Sequence, residues 1–265
     1  MKLKYLATAA AAMIAASPSF AVLNGPDAGG AELFLTVWSA NAASGGTGSN
    51  TNISYTLDLG VSLLDMIANK GVNNYVNQNV SLDSTFTSFI TGLNASSLAG
   101  LQFNVAAATR GGLDTPTDVM VSTVAGSTMG TLNNDKLSFT LDQVLVYVGG
   151  VNSDGNHSTA ANGSSTSTSG DSYFMTALSN TWFSNAPLNS KAVGTNATFG
   201  SYTQNAYGQT PTTTSVFAGT FFFGQSAPNV YSLQYQVAAV PEPTGYALAL
   251  AGLGLIGFVG ARRKS

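Results

Sequence analysis

Two stretches far apart in the chain alternate apolar and polar residues with a period of two. Ile53, Tyr55, Leu57 and Leu59 are separated by Ser54, Thr56 and Asp58; Tyr231, Leu233, Tyr235 and Val237 are separated by Ser232, Gln234 and Gln236. Successive residues of a strand point to opposite faces, so each stretch predicts a β-strand with one face in a core. Glu32 to Trp38, Leu101 to Ala106, Asp118 to Val124 and Val216 to Phe223 also read as strands from their β-branched and aromatic content. Many short strands with Gly, Asn and Ser between them suggest a mainly β body, an antiparallel β-sandwich-like fold with a few short helices as connectors. The chain has no cysteine, so buried apolar surface rather than disulfides must hold that body together.

The helix signals are fewer. Ser62 to Lys70 predicts a helix capped by Ser62, with Leu63, Leu64 and Ile67 on one face and Gly71 ending it. Leu82 to Leu93 is a weaker helix. Leu137 to Val148 fits a helix face through Leu137, Leu141, Val144, Leu145 and Val148, while its β-branched residues suit a strand; helix is the favoured reading. Val151 to Asp171 is rich in Asn, Ser, Thr and Gly and is expected to be a long, flexible surface loop, with a linker as the alternative.

Both ends of the chain carry addresses. Lys2 and Lys4 precede an apolar stretch from Leu6 to Ala16, Pro18 stops it, and Ser19 and Ala21 supply the small residues a signal peptidase needs. Residues 1–21 therefore predict a signal peptide, a helix handled by the Sec machinery and removed after Ala21. At the other end, Gly245 to Ala261 is free of charge and at about 1.5 Å per residue spans roughly 26 Å, slightly short of a bilayer core. Arg262, Arg263 and Lys264 follow directly; they can snorkel to make up the shortfall and should stay cytoplasmic. Residues 245–261 thus predict a C-terminal transmembrane helix, with residues 22–239 as an extracytoplasmic passenger.

Val240-Pro241-Glu242-Pro243-Thr244, the glycine-rich apolar run and the basic stop Arg262-Arg263-Lys264, in that order, resemble the PEP-CTERM sorting signal of exported Gram-negative proteins. The resemblance covers residues 240–265. It implies recognition by an exosortase, an integral-membrane cysteine-type transpeptidase or protease, with the membrane as a transient anchor. It also implies an association with exopolysaccharide and biofilm. The expected route runs from an inner-membrane-anchored precursor facing the periplasm to the cell surface or beyond. The physics of the segment suits a processing signal. Gly252, Gly254, Gly257 and Gly260 lower the helix propensity of the span, and Glu242, preceding a proline, is driven to extended backbone.

The passenger itself is poor in charge. Charged residues are 8% of the chain, and Asn occurs 22 times, so solubility rests on amides and hydroxyls. Residues 22–239 hold eleven acids and four bases. That balance argues against a nucleic-acid partner, which needs clustered Lys and Arg. His157 is the single histidine and falls in the low-complexity stretch, where it reads as a solvated loop residue; a Ser-His-Asp triad or zinc site is not expected. Asp58, Asp65, Asp114 and Asp118 read as helix-start and turn residues rather than a glycosidase pair. Asn152-Ser153-Asp154-Gly155-Asn156 resembles a calcium loop but lacks acidic density and reads as a turn. Phe221 to Phe223 and Trp182-Phe183 read as core rather than sugar platforms. Asn-x-Ser/Thr sites occur at Asn52, Asn79, Asn94, Asn156, Asn162 and Asn196, and Ser164 to Ser169 is a candidate for O-linked sugar.

The expected function is an exported, exosortase-processed cell-surface or extracellular-matrix protein with a non-catalytic passenger and no cofactor or metal. The alternatives are a carbohydrate-binding module or adhesin, marked by exposed aromatics on one face, and a secreted Asp-dependent hydrolase, marked by two carboxylates in a deep pocket.

Overall fold

A computed structural model describes residues 22–39, 53–93, 100–157, 160, 162–174, 190–205, 210–228 and 230–238. The predicted signal helix and transmembrane helix lie outside the described residues. The stretches read as strands are strands: β1 (Glu32–Ser39), β2 (Ser54–Ser62), β4 (Leu101–Thr109), β5 (Val119–Val124), β9 (Thr213–Ala227) and β10 (Val230–Val237), and β8 (Asn196–Thr203) is a further long strand that the sequence reading did not include. Three short strands, β3 (Asn77–Asn79), β6 (Ser164–Ser167) and β7 (Lys191–Ala192), complete a single ten-stranded sheet in the order β3-β10-β9-β8-β5-β4-β1-β2-β6, with β7 on β4. Every pairing is antiparallel. The fold is mainly β and antiparallel, as expected. Its two-layer packing arises because one sheet curls over itself.

The curl shows in the ring contacts. Phe103 of β4 lies 5.8 Å from Phe223 of β9, although β5 and β8 separate these strands in the sheet. Helix α1 (Leu63–Ala68) and helix α2 (Ser84–Gly92) close this concave side. Phe86 of α2 reaches Tyr55 of β2 at 5.1 Å and Tyr231 of β10 at 5.4 Å. The large core here includes Leu33, Leu35, Val37, Phe103, Val105, Phe199, Phe221 and Tyr235. On the opposite face, Phe34, Trp38, Ala106, Met120, Val124 and Tyr202 pack against helix α3 (Asn134–Ser153) through Leu137, Leu141, Val144, Tyr147 and Val148. Strand β1 is therefore buried on both faces, which explains its unbroken run of bulky residues.

Local chemistry sets the helix starts. The Ser62 hydroxyl accepts from Asp65 N at 3.1 Å, as predicted for α1. The inward face of α1 differs from the expectation: Leu63 and Met66 are buried while Leu64 is 43% exposed. Helix α2 begins later than Leu82, because residues Val80–Leu82 form a single 3-10 turn and Asp83 caps the helix through Thr85 N at 2.9 Å. Helix α3 is longer than expected. Asn133 caps it by accepting from Lys136 N at 2.8 Å, and Leu145 faces outward.

Residues 151–171 are not simply a surface loop. Their first part ends α3, and Ser164–Ser167 form β6, the sheet edge beside β2. The segment carries no large apolar side chain after Val151, so no periodicity announces it; main-chain pairing and side-chain amides hold it instead. Asn156 accepts from Ser164 N at 2.7 Å, and Asp58 N donates to Gly163 O at 2.9 Å.

Candidate functional site

The sequence-predicted sorting residues Pro241, Glu242, Pro243, Arg262, Arg263 and Lys264, and the signal-peptidase residues Ser19 and Ala21, lie outside the described residues. The body defines the chain at both approaches to them. At the N-terminal side, Leu23 is buried in the α3 core, and its backbone is held by the Asn152 carboxamide on both the N–H and the carbonyl. At the C-terminal side, Tyr235 N donates to Val76 O at 2.9 Å, and Val237 N donates to Asn73 Oδ1 at 3.0 Å. The chain thus leaves the body as a hydrogen-bonded strand.

His157 requires a correction. It is fully buried rather than solvated. A Cβ at Gly163 would lie 2.3 Å from His157 Cα, so the bare glycine lets the segment leading into β6 press onto the histidine backbone. Its Nε2 pairs with Ser165 Oγ at 3.2 Å, and its Nδ1 has no hydrogen-bond partner among the described residues. Burial pushes its pKa down to about 4, against the pull of Asp83 and Asp154. The contact has the residue types of a nucleophile and base but not the working arrangement. Ser165 is buried and paired with Thr56 in the sheet, and the nearby Asp154 carboxylate accepts from Ser172 Oγ. A catalytic histidine needs its second nitrogen held by such a group.

The other carboxylates are also engaged with the protein. Asp58 is buried on β2; its Oδ1 accepts from Gly60 N at 2.8 Å, and its Oδ2 has no hydrogen-bond partner among the described residues. Burial pushes it up to about 7, the Gly60 bond opposes, and the neighbouring Glu32 adds to the rise. Glu32 is itself raised by burial, partly offset by Asn24 N at 3.0 Å. Asp114 accepts from Gly30 N, and Asp118 from Gly111 N and Ser138 Oγ. These two are fasteners between loops, in keeping with the turn roles expected of them. Of the calcium-like loop, Asn152 holds Leu23, Asp154 holds Ser172 and Asn156 holds Ser164.

An open cleft of about 690 Å³ lies beside Arg110, Thr117, Asp118, Ser138, Gln204 and Asn205. Among the described residues no aromatic side chain lines it, and Arg110 is spent on Asp27 and Asp142. Phe221 and Phe223 are core residues, while Trp182 and Phe183 lie outside the described residues. Ser164 and Ser165 are buried, which removes two of the six hydroxyls from Ser164 to Ser169 considered for O-linked sugar. One polar layer escaped the sequence reading. Under α3, the Tyr147 hydroxyl bonds Thr36 Oγ1 and Thr56 Oγ1, and Asn104 donates to Ser122 Oγ and Thr123 Oγ1. The only hint was Thr36 standing between Phe34 and Trp38 on an otherwise apolar face.

Residues 239–264 match the PEP-CTERM protein-sorting motif. The chain carries a PEP-CTERM sorting signal. The match begins two positions after Val237, the last residue of β10, and contains the Pro-Glu-Pro segment and the basic stop. A PEP-CTERM motif implies recognition by an exosortase and an exported protein with a membrane-anchored precursor. Among the described residues no helix is long and apolar enough to cross a membrane. No curated protein and no solved structure matches the chain.

Proposed function

We propose that this protein is a PEP-CTERM passenger delivered to the cell surface or extracellular matrix, where its β body works without catalysis in the exopolysaccharide layer. Residues 1–21 serve as the signal peptide, residues 22–239 as the passenger and residues 240–265 as the sorting signal. Within that signal Pro241, Glu242 and Pro243 form the recognised segment, residues 245–261 the transient membrane helix, and Arg262, Arg263 and Lys264 the cytoplasmic stop. The observation that carries this reading is the sorting motif joined, with no intervening domain, to a charge-poor β body. The non-catalytic reading is supported by the use made of the ionisable groups. His157 and Asp58 are buried, and Asp83, Asp114, Asp118 and Asp154 each bind groups of the fold. A surface of amides and hydroxyls suits contact with hydrated neutral polymer, since it makes hydrogen bonds without fixed charge.

Deleting Pro241 to Pro243 tests the sorting reading. The expected result is an uncleaved precursor that stays with the membrane, while the parent chain is processed and leaves it. Unchanged size and release would overturn the reading. Mass spectrometry of the mature protein from medium, cells and membranes should place its N-terminus at Val22.

A further inference from the structure

Gln204 follows β8 directly and is only 9% exposed. Its backbone N–H donates to Asp118 O at 2.9 Å, but among the described residues its carboxamide meets no hydrogen-bond partner. A side chain so deeply buried ordinarily finds one, because withdrawing an amide from water without replacement is costly. Gln204 lines the open cleft of about 690 Å³, and a partner can reach the amide from that side.

The wall around Gln204 is polar and already fixed by the fold. A Cβ at Gly111 would lie 2.8 Å from Thr117 Cα, so the connection between β4 and β5 folds closely on itself. Asp118, at the end of that connection, accepts from Gly111 N at 2.9 Å and from Ser138 Oγ at 2.8 Å. Asn205 is gripped at both ends of its carboxamide, accepting from Asn134 Nδ2 at 3.2 Å and donating to Thr213 Oγ1 at 3.4 Å. The Asp118 carboxylate keeps unused lone pairs, and the Asn205 amide keeps a second N–H. Groups held in place in this way lose little freedom when a ligand binds them.

The charge of the cleft limits what it takes. Arg110 on its wall is engaged by Asp27 and Asp142, and Asp118 adds a third carboxylate. One guanidinium against three carboxylates disfavours a phosphate, sulfate or uronate. Among the described residues no aromatic side chain lines the cleft, so neither stacking nor apolar filling is its mode of binding. What fits is a ligand rich in uncharged groups that both donate and accept. Hydroxyls do this, and they match a carboxamide set beside a carboxylate. The volume falls within the range of about 300–1,000 Å³ of small-ligand sites, and an open cleft admits a segment of a longer chain.

We propose that this cleft binds a neutral polyhydroxylated chain, a glycan without acidic groups. The Gln204 carboxamide donates to and accepts from its hydroxyls, Asn205 donates its second N–H, and Asp118 accepts. The inference deepens the reading of the body as a non-catalytic component of a layer of neutral polymer, and it rests on that reading for the source of the ligand.

The test uses the purified full chain with maltohexaose, cellohexaose and mannohexaose as neutral probes, and hexagalacturonate and calcium chloride as charged ones. Calorimetry is expected to show binding of at least one neutral probe, and binding of hexagalacturonate weaker by about tenfold or more. Gln204→Leu keeps the bulk of the side chain and removes an amide that bonds nothing in the body. Its melting temperature should therefore hold, while affinity for the neutral probe falls by about tenfold. In NMR spectra of the parent chain, the side-chain amide signals that Gln204→Leu lacks should move as the neutral probe is added. Asn205→Asp keeps an acceptor for Asn134 and removes a donor from the cleft, and should weaken binding by about threefold. No binding of any neutral probe, equal binding of hexagalacturonate, or unchanged affinity in both variants overturns the proposal. Movement of the Gln204 signals with calcium alone also overturns it, by making the cleft a cation site. The oligosaccharide recovered after binding should keep its length. Shortening would overturn the non-catalytic reading and leave the glycan site standing, so the two readings fail separately.

Discussion

Asn152 grips Leu23 by both ends of its peptide unit. The Asn152 Oδ1 accepts from Leu23 N at 3.0 Å, and its Nδ2 donates to Leu23 O at 2.9 Å. Leu23 is buried against α3, and Asn152 is near that helix's end. Leu23 is thus fixed to the body one residue after Val22, where signal-peptide removal is expected to leave the new terminus. Leu23→Ala removes a buried side chain and should cost about 2–5 kcal/mol. Asn152→Ala leaves the Leu23 groups without that partner and should cost about 1–3 kcal/mol. Urea denaturation of the two variants and the double variant checks both values. Because both act on one contact, the double variant should lose less than the sum.

The layer under α3 makes a second prediction. The Tyr147 hydroxyl is buried between Thr36 and Thr56, and burial pushes its pKa up to about 12 despite those bonds. Tyr147→Phe keeps the ring contacts with Phe34 and Phe174 but strips both threonines of a partner. The expected loss is about 1–3 kcal/mol. Val146→Ala, on the exposed side of the same helix, should stay within about 0.5 kcal/mol. Thermal or urea melts of the two variants separate a buried hydroxyl from a surface methyl.

Gly163 provides a third. An added Cβ would sit 2.3 Å from His157 Cα and 2.7 Å from His157 N, contacts with main chain that a rotamer change cannot relieve. Gly163→Ala should therefore loosen β6, the edge that β2 pairs with from Ser54 to Leu57. Hydrogen exchange should rise across Ser164–Ser167 more than across β8, which lies in the middle of the sheet. Equal change in both strands would contradict this.

What the sequence made legible follows from where apolar side chains are needed. Strands β2 and β10 each bury one face against the concave core, so a period of two is written into Tyr55 to Leu59 and Tyr231 to Tyr235. Helix α3 packs one stripe on the sheet and shows it through Leu137, Leu141, Val144 and Val148. The edge strands β3 and β6 read Asn-Gln-Asn and Ser-Ser-Thr-Ser. They join by main-chain bonds, which leave no hydrophobic pattern to find. The burial of His157 was hidden for the same reason: its neighbours Ser165 and Gly163 cover it with backbone and hydroxyl rather than with bulk. The sorting signal was legible because its three parts act through composition and order, not through a tertiary environment.

Asp58 and His157 should give the folding stability opposing pH dependences. The carboxyl of Asp58 is raised from 3.8 to about 7, chiefly by burial. The folded state favours its protonated form, so its stabilisation is complete below about 3.8 and is lost as pH rises toward 7. His157 is lowered from 6.5 to about 4, again chiefly by burial. The unfolded chain takes up a proton there that the folded chain refuses, so this contribution is intact above 6.5 and is lost as pH falls through 4. Between these limits each group contributes a slope of up to about 1.4 kcal/mol per pH unit, with opposite sign. The parent protein should show a shallow profile from pH 4 to 6.5, tilted toward acid by Glu32, which is raised in the same sense as Asp58. Asp58→Asn keeps an oxygen for Gly60 N and removes the acid-favouring slope, so stability should then rise with pH. His157→Gln removes the other slope, so stability should fall with pH. Urea midpoints measured at half-unit steps decide the matter: three parallel profiles would mean that neither group is buried in the ionisation state assigned to it.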